Sequence, residues 1–281
     1  DSLSTVIEPY ELNEAYMKIG GYYSTTYRPD PDLRLNQWLG ANGSLIILPY
    51  APNENDQNIY AGASGEVVAR ETGAFILGDI MGHPFPCGEL LLTVRGEIPC
   101  FEEAFKDIVA LYMSSQNIDV CRLAVKQCQG NWRKVNCLSS IGEELGQYNK
   151  RDCLRQLINN DKWRDNLNVK VDPDTGLKWS NNEHLTASLI FSGAFYDIMT
   201  GIAQRNIDAG MDSATALKNA GQEAMELLMW GLGYINKTGF ELSNNSDFGQ
   251  KFVYRRAAIA MLKMDAKYNG CRDQNIINEV M

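Results

Sequence analysis

The sequence lacks several features that mark common classes of protein. Asp and Glu number 35 against 26 Lys and Arg, a net charge of −9 over 281 residues. This balance argues against nucleic acid or an anionic membrane surface as the main partner. No apolar run reaches the ~18–20 residues of a membrane span. Residues 187–203 come closest, and Asp197 interrupts them. The sequence predicts a protein with no membrane span that does not bind nucleic acid.

Histidine is scarce, and the cysteines lack the spacing of a zinc site. The two histidines are His83 and His184. None of the seven cysteines belongs to a CxxC pair, which argues against a cysteine-ligated zinc. Six of them fall between residues 87 and 153. Such clustering favours a disulfide framework, in which the odd cysteine is free or bridges to another molecule.

Three further features bear on the cellular compartment. Sequons for N-glycosylation occur at Asn42, Asn236 and Asn244. The chain starts at Asp1 rather than at methionine, which indicates either a removed targeting segment or a fragment. Together with the clustered cysteines, these features predict an extracellular protein or one of the secretory pathway.

The chain is 44% hydrophobic, enough for a sizeable core. Apolar residues recur at helical spacing through 65–81, and charged residues such as Arg70 and Glu71 interrupt them, so a half-buried helix is predicted. A second helix covers 101–115. Its Glu103 and Asp107 are four residues apart and share one face, and we expect Glu103 to be buried because its neighbours are apolar.

The rest of the chain contains further local signals. Residues Ser44 to Leu48 form a short apolar run between Gly and Pro, which predicts a strand. Helices are predicted at 211–232, with Ser213 as N-cap, and at 248–268, with Ile259 among the residues that face the core.

The first of the predicted helices resembles the active-site helix of the gluzincins, the thermolysin-like zinc peptidases. That helix carries H-E-x-x-H, whose two histidines grip zinc from one face. Residues 70–74 read Arg-Glu-Thr-Gly-Ala, so the glutamate stands and both histidines are replaced, by Arg70 and Ala74. Neither replacement can ligate a cation.

Two more segments follow in family order, and the resemblance covers residue 47 to the C-terminus. Residues 102–111 resemble the H-E-A-F-x-D-I-V-A-L segment of bacterial HETGH-type members, with Glu102 in place of the histidine. In that family the glutamate matched by Glu103 is the third zinc ligand, and Asp107 corresponds to a carboxylate that supports a ligand. Residues 181–202 carry His184 and Ser188 where the family has an oxyanion-stabilising histidine followed by serine.

The resemblance implies a fold of the α+β class, the two-lobe thermolysin-like fold, in one domain over 1–281. Residues 1–64 would form a small mixed N-terminal lobe, 65–81 the active-site-type helix, and 82–281 a helical C-terminal lobe. Such a fold brings together the two ends of the loop that Cys87 and Cys100 bracket, so a disulfide between them is predicted.

The chemistry implied by the resemblance is incomplete. Zinc would activate water and polarise the carbonyl, while Glu71 and His184 would be vestigial base and oxyanion donor. Without the histidines, zinc is expected to be absent. The favoured interpretation is an inactive peptidase-like protein retained for protein binding or as a structural component. The alternatives are a structural subunit of an extracellular assembly, a working zinc peptidase inactivated by substitution, and an enzyme using the same carboxylates for different acid–base chemistry.

One structural hypothesis concerns Arg70. Without zinc, the counterpart of the third ligand, Glu103, would be an unpaired carboxylate in a half-buried cleft, at a cost of several kcal/mol. A guanidinium can replace the lost positive charge and grip a carboxylate. We therefore predict that Arg70 pairs with Glu103 or Asp107.

Overall fold

The structure is a computed structural model, and it is mostly helical over the residues it describes. These residues are 26–29, 44–47, 50–52, 58–60, 64–81, 97–143, 146, 151–159, 183–237 and 253–281.

Two small pairs of antiparallel strands are described within the first 64 residues. β1 (Thr26–Pro29) pairs with β2 (Ser44–Ile47), and β3 (Tyr50–Pro52) pairs with β4 (Asn58–Tyr60). The second strand confirms the strand predicted from residue 44 onward. Strands β1 and β2 both contact the first described helix, so this region lies against the helical part of the chain.

The two helices of the charged motifs are neighbours. Helix α1 spans Gly65–Met81 and α2 spans Glu97–Ser115, and they share the most extensive contact between any two described elements. The two helices lie close together at Gly73, where an added Cβ would lie 3.1 Å from both the Lys106 Cα and the Val109 Cβ. Glycine therefore lets α1 lie directly on the charged face of α2.

Helices make up most of the remaining described chain. After α3 (Ile118–Cys128) come the two-residue strands β5 (Ser140–Ile141) and β6 (Arg155–Gln156), which pair antiparallel. Then follow α4 (Glu183–Asp208), α5 (Ser213–Lys237), α6 (Val253–Met264), a π-helical turn (Asp265–Asn269) and α7 (Gln274–Val280).

The cap of α5 differs from the sequence prediction. Asp212, rather than Ser213, accepts hydrogen bonds from the backbone N–H groups of Ala214 and Thr215, both at 3.1 Å. Both residue types cap helices well, and a carboxylate gains additionally from the positive end of the helix dipole.

Helix α2 is the centre of the core. It packs against α1, α3, α4, α5 and α6, and its Phe101 and Phe105 are almost completely buried. The Phe101 ring lies 5.1 Å from that of Phe191 on α4, which in turn lies 5.2 Å from that of Tyr254 on α6. Residues 100–111 of α2 are all buried, so the charged residues among them must find partners inside the protein.

The thermolysin-like two-lobe fold stays a prediction, because much of both lobes lies outside the described residues. None of the described helices is long and apolar enough to cross a membrane. Cys100 is buried in α2, and its predicted disulfide partner Cys87 lies outside the described residues. Five other cysteines are thiols in the structure: Cys121, Cys128, Cys137, Cys153 and Cys271. Of the three sequon asparagines, Asn42 and Asn244 also lie outside the described residues, and Asn236 belongs to the end of α5.

The close contact at Gly73 yields a prediction about stability. Gly73→Val should lower the free energy of unfolding by about 1–3 kcal/mol, since the added side chain forces α1 away from the α2 backbone. The same change at Gly233 of α5, where an added Cβ meets no atom within 4 Å, is the matched control. Urea denaturation measures both variants, and an equal effect at the two positions would contradict the packing described.

Candidate functional site

Arg70 reaches three carboxylates at the contact between α1 and α2. Its Nε lies 2.8 Å from Asp107 Oδ1, its Nη1 lies 3.3 Å from Glu71 Oε1, and its Nη2 donates to Glu103 Oε2. Glu103 and Asp107 are one turn apart on α2, so one planar guanidinium can bind both. The predicted ion pair of Arg70 with Glu103 or Asp107 is confirmed, and it includes both partners.

A second cation, Lys106, contacts two of these three carboxylates. Lys106 Nζ is 3.0 Å from Glu103 Oε1 and 3.3 Å from Glu71 Oε1. The residue follows Glu103 by three positions on α2, a spacing that places two side chains on neighbouring points of a helix surface. The sequence predictions above do not include Lys106, although its spacing from Glu103 is a usable signal.

Arg155 supplies the third cation from a different part of the chain. The short β5–β6 ladder places Ile141 opposite Arg155. From there the Arg155 Nε and Nη2 atoms donate to Asp107 Oδ2 at 2.9 and 2.8 Å, and Nη2 also donates to Ser188 Oγ on α4. Asp107 therefore binds Arg70 with one oxygen and Arg155 with the other. No local pattern in the sequence singles out Arg155.

These six side chains, three cations and three carboxylates, form what we call the charge cluster: Arg70, Glu71, Glu103, Lys106, Asp107 and Arg155. All are buried, and Glu71 and Asp107 have no exposed surface. The expected burial of Glu103 is confirmed. The prediction that charged residues leave the first helix half-exposed is wrong at Arg70 and Glu71. Both are buried, and their charges are paired inside the protein rather than solvated by water.

The cluster shifts the pKa values of Glu103, Arg70 and Lys106 toward their charged forms. Burial alone would raise the pKa of Glu103, but Arg70, Lys106 and Arg155 more than reverse this effect and hold the pKa well below its usual 4.5. Burial would lower the pKa of Arg70, yet the carboxylates of Glu103, Asp107 and Glu71 raise it above its usual value. The pKa of Lys106 is raised above 10.5 against its own burial, mainly by Glu103 and Glu71.

The remaining residues predicted for the site are placed as follows. Glu102, where the family has histidine, is buried in α2, and its charge helps to raise the pKa of Lys106. Ala74 lies one turn beyond Arg70 on α1, and His184 lies in the first turn of α4; the side chains of both fall outside the described part of the chain. Ser188, one turn after His184, contacts the cluster through Arg155.

The side chains present do not suit a zinc ion. The described residues include no group of three or more His, Cys, Asp and Glu side chains that could hold a metal. Glu103 and Glu71, the counterparts of the family's ligand and base, already accept from Arg70 and Lys106. A cation entering between them would have to displace two positive side chains.

Comparisons of the chain with protein-family models, with curated proteins and with solved structures found no match. The interpretation of the charge cluster therefore depends on its own geometry and on the resemblance of the three sequence segments.

The central position of Arg70 predicts a large loss of stability on its removal. Arg70→Ala should lower the free energy of unfolding by about 3–5 kcal/mol, because it leaves buried carboxylates without their main cation. The control is Arg122→Ala, which removes an ion pair with Asp119 whose side chains are 67% and 79% exposed. That change should cost about 0–1 kcal/mol. Chemical denaturation followed by circular dichroism measures both, and similar losses would contradict a structural role for the cluster.

A second prediction concerns the pH dependence of stability. The pKa of Glu103 is depressed on folding, so its contribution is complete above its ordinary value of 4.5 and is lost as the pH falls toward the folded value. The variant Glu103→Gln should be less stable than the unmodified protein at pH 7. The difference should shrink steadily below about pH 5. Urea titrations across this range test the expectation, and a difference that stays constant down to about pH 3 would contradict it.

Proposed function

We propose that this protein is a catalytically inactive relative of the zinc metallopeptidases, retained for binding other proteins or as a structural component. The observation that carries the proposal is the contact of Arg70 with Glu103 and Glu71. In the resemblance, these glutamates correspond to a zinc ligand and the catalytic base. A guanidinium takes the place of the first zinc-binding histidine and neutralises the same carboxylates.

The charge cluster is poorly suited to acid–base catalysis of another kind. A general base must be unprotonated and free to accept a proton. Glu71 is buried between Arg70 and Lys106, and the pKa of Glu103 is held far below neutrality. A carboxylate stabilised so strongly as an anion is a weak proton acceptor. This supports a structural role for these groups over a new enzymatic one.

The balance of charge also explains how the fold could persist after the loss of a metal. Removing one partner of a buried ion pair costs more than replacing the whole set. Arg70 compensates Glu103 and Asp107 together, and Lys106 compensates the remaining Glu103 oxygen. The two helices then stay in contact without an ion between them. A stable fold without catalysis is what a binding or structural protein requires.

The proposal is tested by reversing the substitutions. Arg70→His combined with Ala74→His restores the histidine pair of the motif and leaves Glu103 as the third ligand. This double variant should gain zinc affinity in calorimetric titration with zinc chloride, while the unmodified protein should bind zinc weakly or not at all. Adding Lys106→Ala should strengthen binding further, because it removes a competing cation beside Glu103.

Two outcomes would contradict the proposal. One is a folded triple variant, verified by circular dichroism, that still fails to bind zinc, since the family geometry would then be absent. The other is unmodified protein that carries stoichiometric zinc and hydrolyses peptides, with the activity lost on Glu71→Gln. A control variant, Arg122→His with Lys126→His on the exposed surface of α3, shows how much affinity any new pair of histidines one turn apart provides.

A further inference from the structure

Helices α5 and α6 expose a group of aromatic and basic side chains, which we call the aromatic–lysine surface. Its members are Trp230 and Tyr234 on α5, Ile259 and Lys263 on α6, and Lys267 and Tyr268 in the π-helical turn. Trp230 is 40% exposed, Ile259 41% and Tyr268 53%. The prediction that Ile259 faces the core is therefore wrong, because Ile259 lies on the exposed face of α6 that also carries Lys263.

The side chains of this surface are held by one another. The Trp230 and Tyr268 rings have centroids 4.6 Å apart and tilted by 50°. Lys263 Nζ lies 5.0 Å from the Tyr234 ring centroid and 3.2 Å from its hydroxyl, and Lys267 Nζ lies 4.8 Å from the Tyr268 centroid. Cation–π contacts of this kind restrain the lysines. These side chains therefore lose less conformational entropy when a partner binds.

The surface is locally basic although the protein is acidic. Along α6 and the π-helical turn, the exposed charged residues are Arg255, Lys263 and Lys267, and on α5 the half-buried Glu226 lies one turn before Trp230. Asp265, the acidic residue of the turn, is completely buried. The whole chain carries a net charge of −9. A small positive face on such a protein attracts a short negatively charged segment, whereas the rest of the protein repels a long one.

We propose that the aromatic–lysine surface binds an acidic, partly apolar segment of a partner protein. The proposal rests on the protein-binding part of the proposed function and adds the position and the chemistry of the contact. Lys263 and Lys267 are four residues apart, or about 6 Å along the helix axis. That spacing matches two carboxylates one turn apart on a helical segment. The rings of Trp230 and Tyr268 provide the rigid apolar contact typical of residues that dominate binding energy.

The charge distribution favours a peptide over other anionic partners. Duplex DNA carries one negative charge per ~1.7 Å of its axis, and an extended polyanion of that density would be repelled by the rest of an acidic protein. An anionic bilayer requires a larger basic cluster, since each Lys or Arg contributes about 1 kcal/mol near the surface. Two or three cations beside exposed rings fit a short segment with a few carboxylates.

The test is a fluorescence anisotropy titration with a defined probe. The probe is a fluorescein-labelled peptide of about 16 residues in which Glu and Leu each recur at i, i+4 spacing, the pattern of a helix that lays an apolar face on its partner. The same peptide with Lys in place of every Glu is the charge control. Binding of the Glu peptide, weakened at high salt, and no binding of the Lys peptide are expected.

Matched variants locate the binding on the molecule. Lys263→Glu combined with Lys267→Glu should lower the affinity for the Glu peptide by about tenfold or more, and Trp230→Ala should lower it by a similar factor. The control is Lys126→Glu with Lys134→Glu, an equal change of charge at exposed lysines outside the aromatic–lysine surface. This control should change affinity by less than about threefold. Because Lys263 and Lys267 are exposed, their charge reversal tests the proposal even where Trp230→Ala lowers stability.

Each remaining result overturns the proposal. If the Glu peptide does not bind, this surface is not the contact. The same conclusion follows if the charge reversals at 263/267 and at 126/134 weaken its binding equally. Tighter binding of oligothymidine of about 20 nucleotides, or of vesicles of phosphatidylcholine and phosphatidylserine, would assign the surface to another class of partner. These readouts are independent of the zinc titration, so failure here is distinguishable from failure of the inactive-peptidase proposal.

Discussion

The contact of Arg70 with Asp107 and Glu103 is the interaction on which the centre of the molecule depends. Both carboxylates lie on a stretch of α2 that is buried among other helices, so water cannot solvate them. Burying either one alone would cost several kcal/mol. One guanidinium from α1 satisfies both, and Arg155 takes the second oxygen of Asp107. The close approach of the helices at Gly73 is what allows Arg70 to reach them.

A buried set of three cations and three carboxylates is costly to desolvate and is not the most stabilising way to fill a core. Its presence calls for a reason other than stability, and the proposed descent from a metal site would supply one. Under that proposal, carboxylates that held and assisted an ion would remain after the histidines were replaced, and neighbouring cations would restore neutrality. The lowered pKa of Glu103 and the raised pKa values of Arg70 and Lys106 are the electrostatic consequence. Groups stabilised so strongly in one charge state hold a structure together and exchange protons poorly.

The parts of the fold that the sequence predicted are those with strong local periodicity. Helix α1 begins and ends at the predicted residues, and α2 includes the predicted 101–115. Glu103 and Asp107 share a helix face by spacing alone, and the partner of Glu103 followed from the need to neutralise a buried charge. Long-range geometry was less accessible. Arg155 joins the cluster through a two-residue ladder with no sequence signature. The exposure of Ile259 was not predicted, because helical periodicity does not say which face of a helix meets a neighbour.

Residue chemistry and a period of 3.6 residues per turn were enough to place the helices of the site, to put Glu103 and Asp107 on one face, and to show that neither Arg70 nor Ala74 can ligate zinc. Tertiary contacts were needed to show that Lys106 and Arg155 complete the charge cluster, that Arg70 and Glu71 are buried, and that aromatic rings and lysines share one exposed face of α5 and α6. Each of these depends on contacts between residues far apart in the chain, and such contacts are set by packing of whole elements rather than by any local pattern.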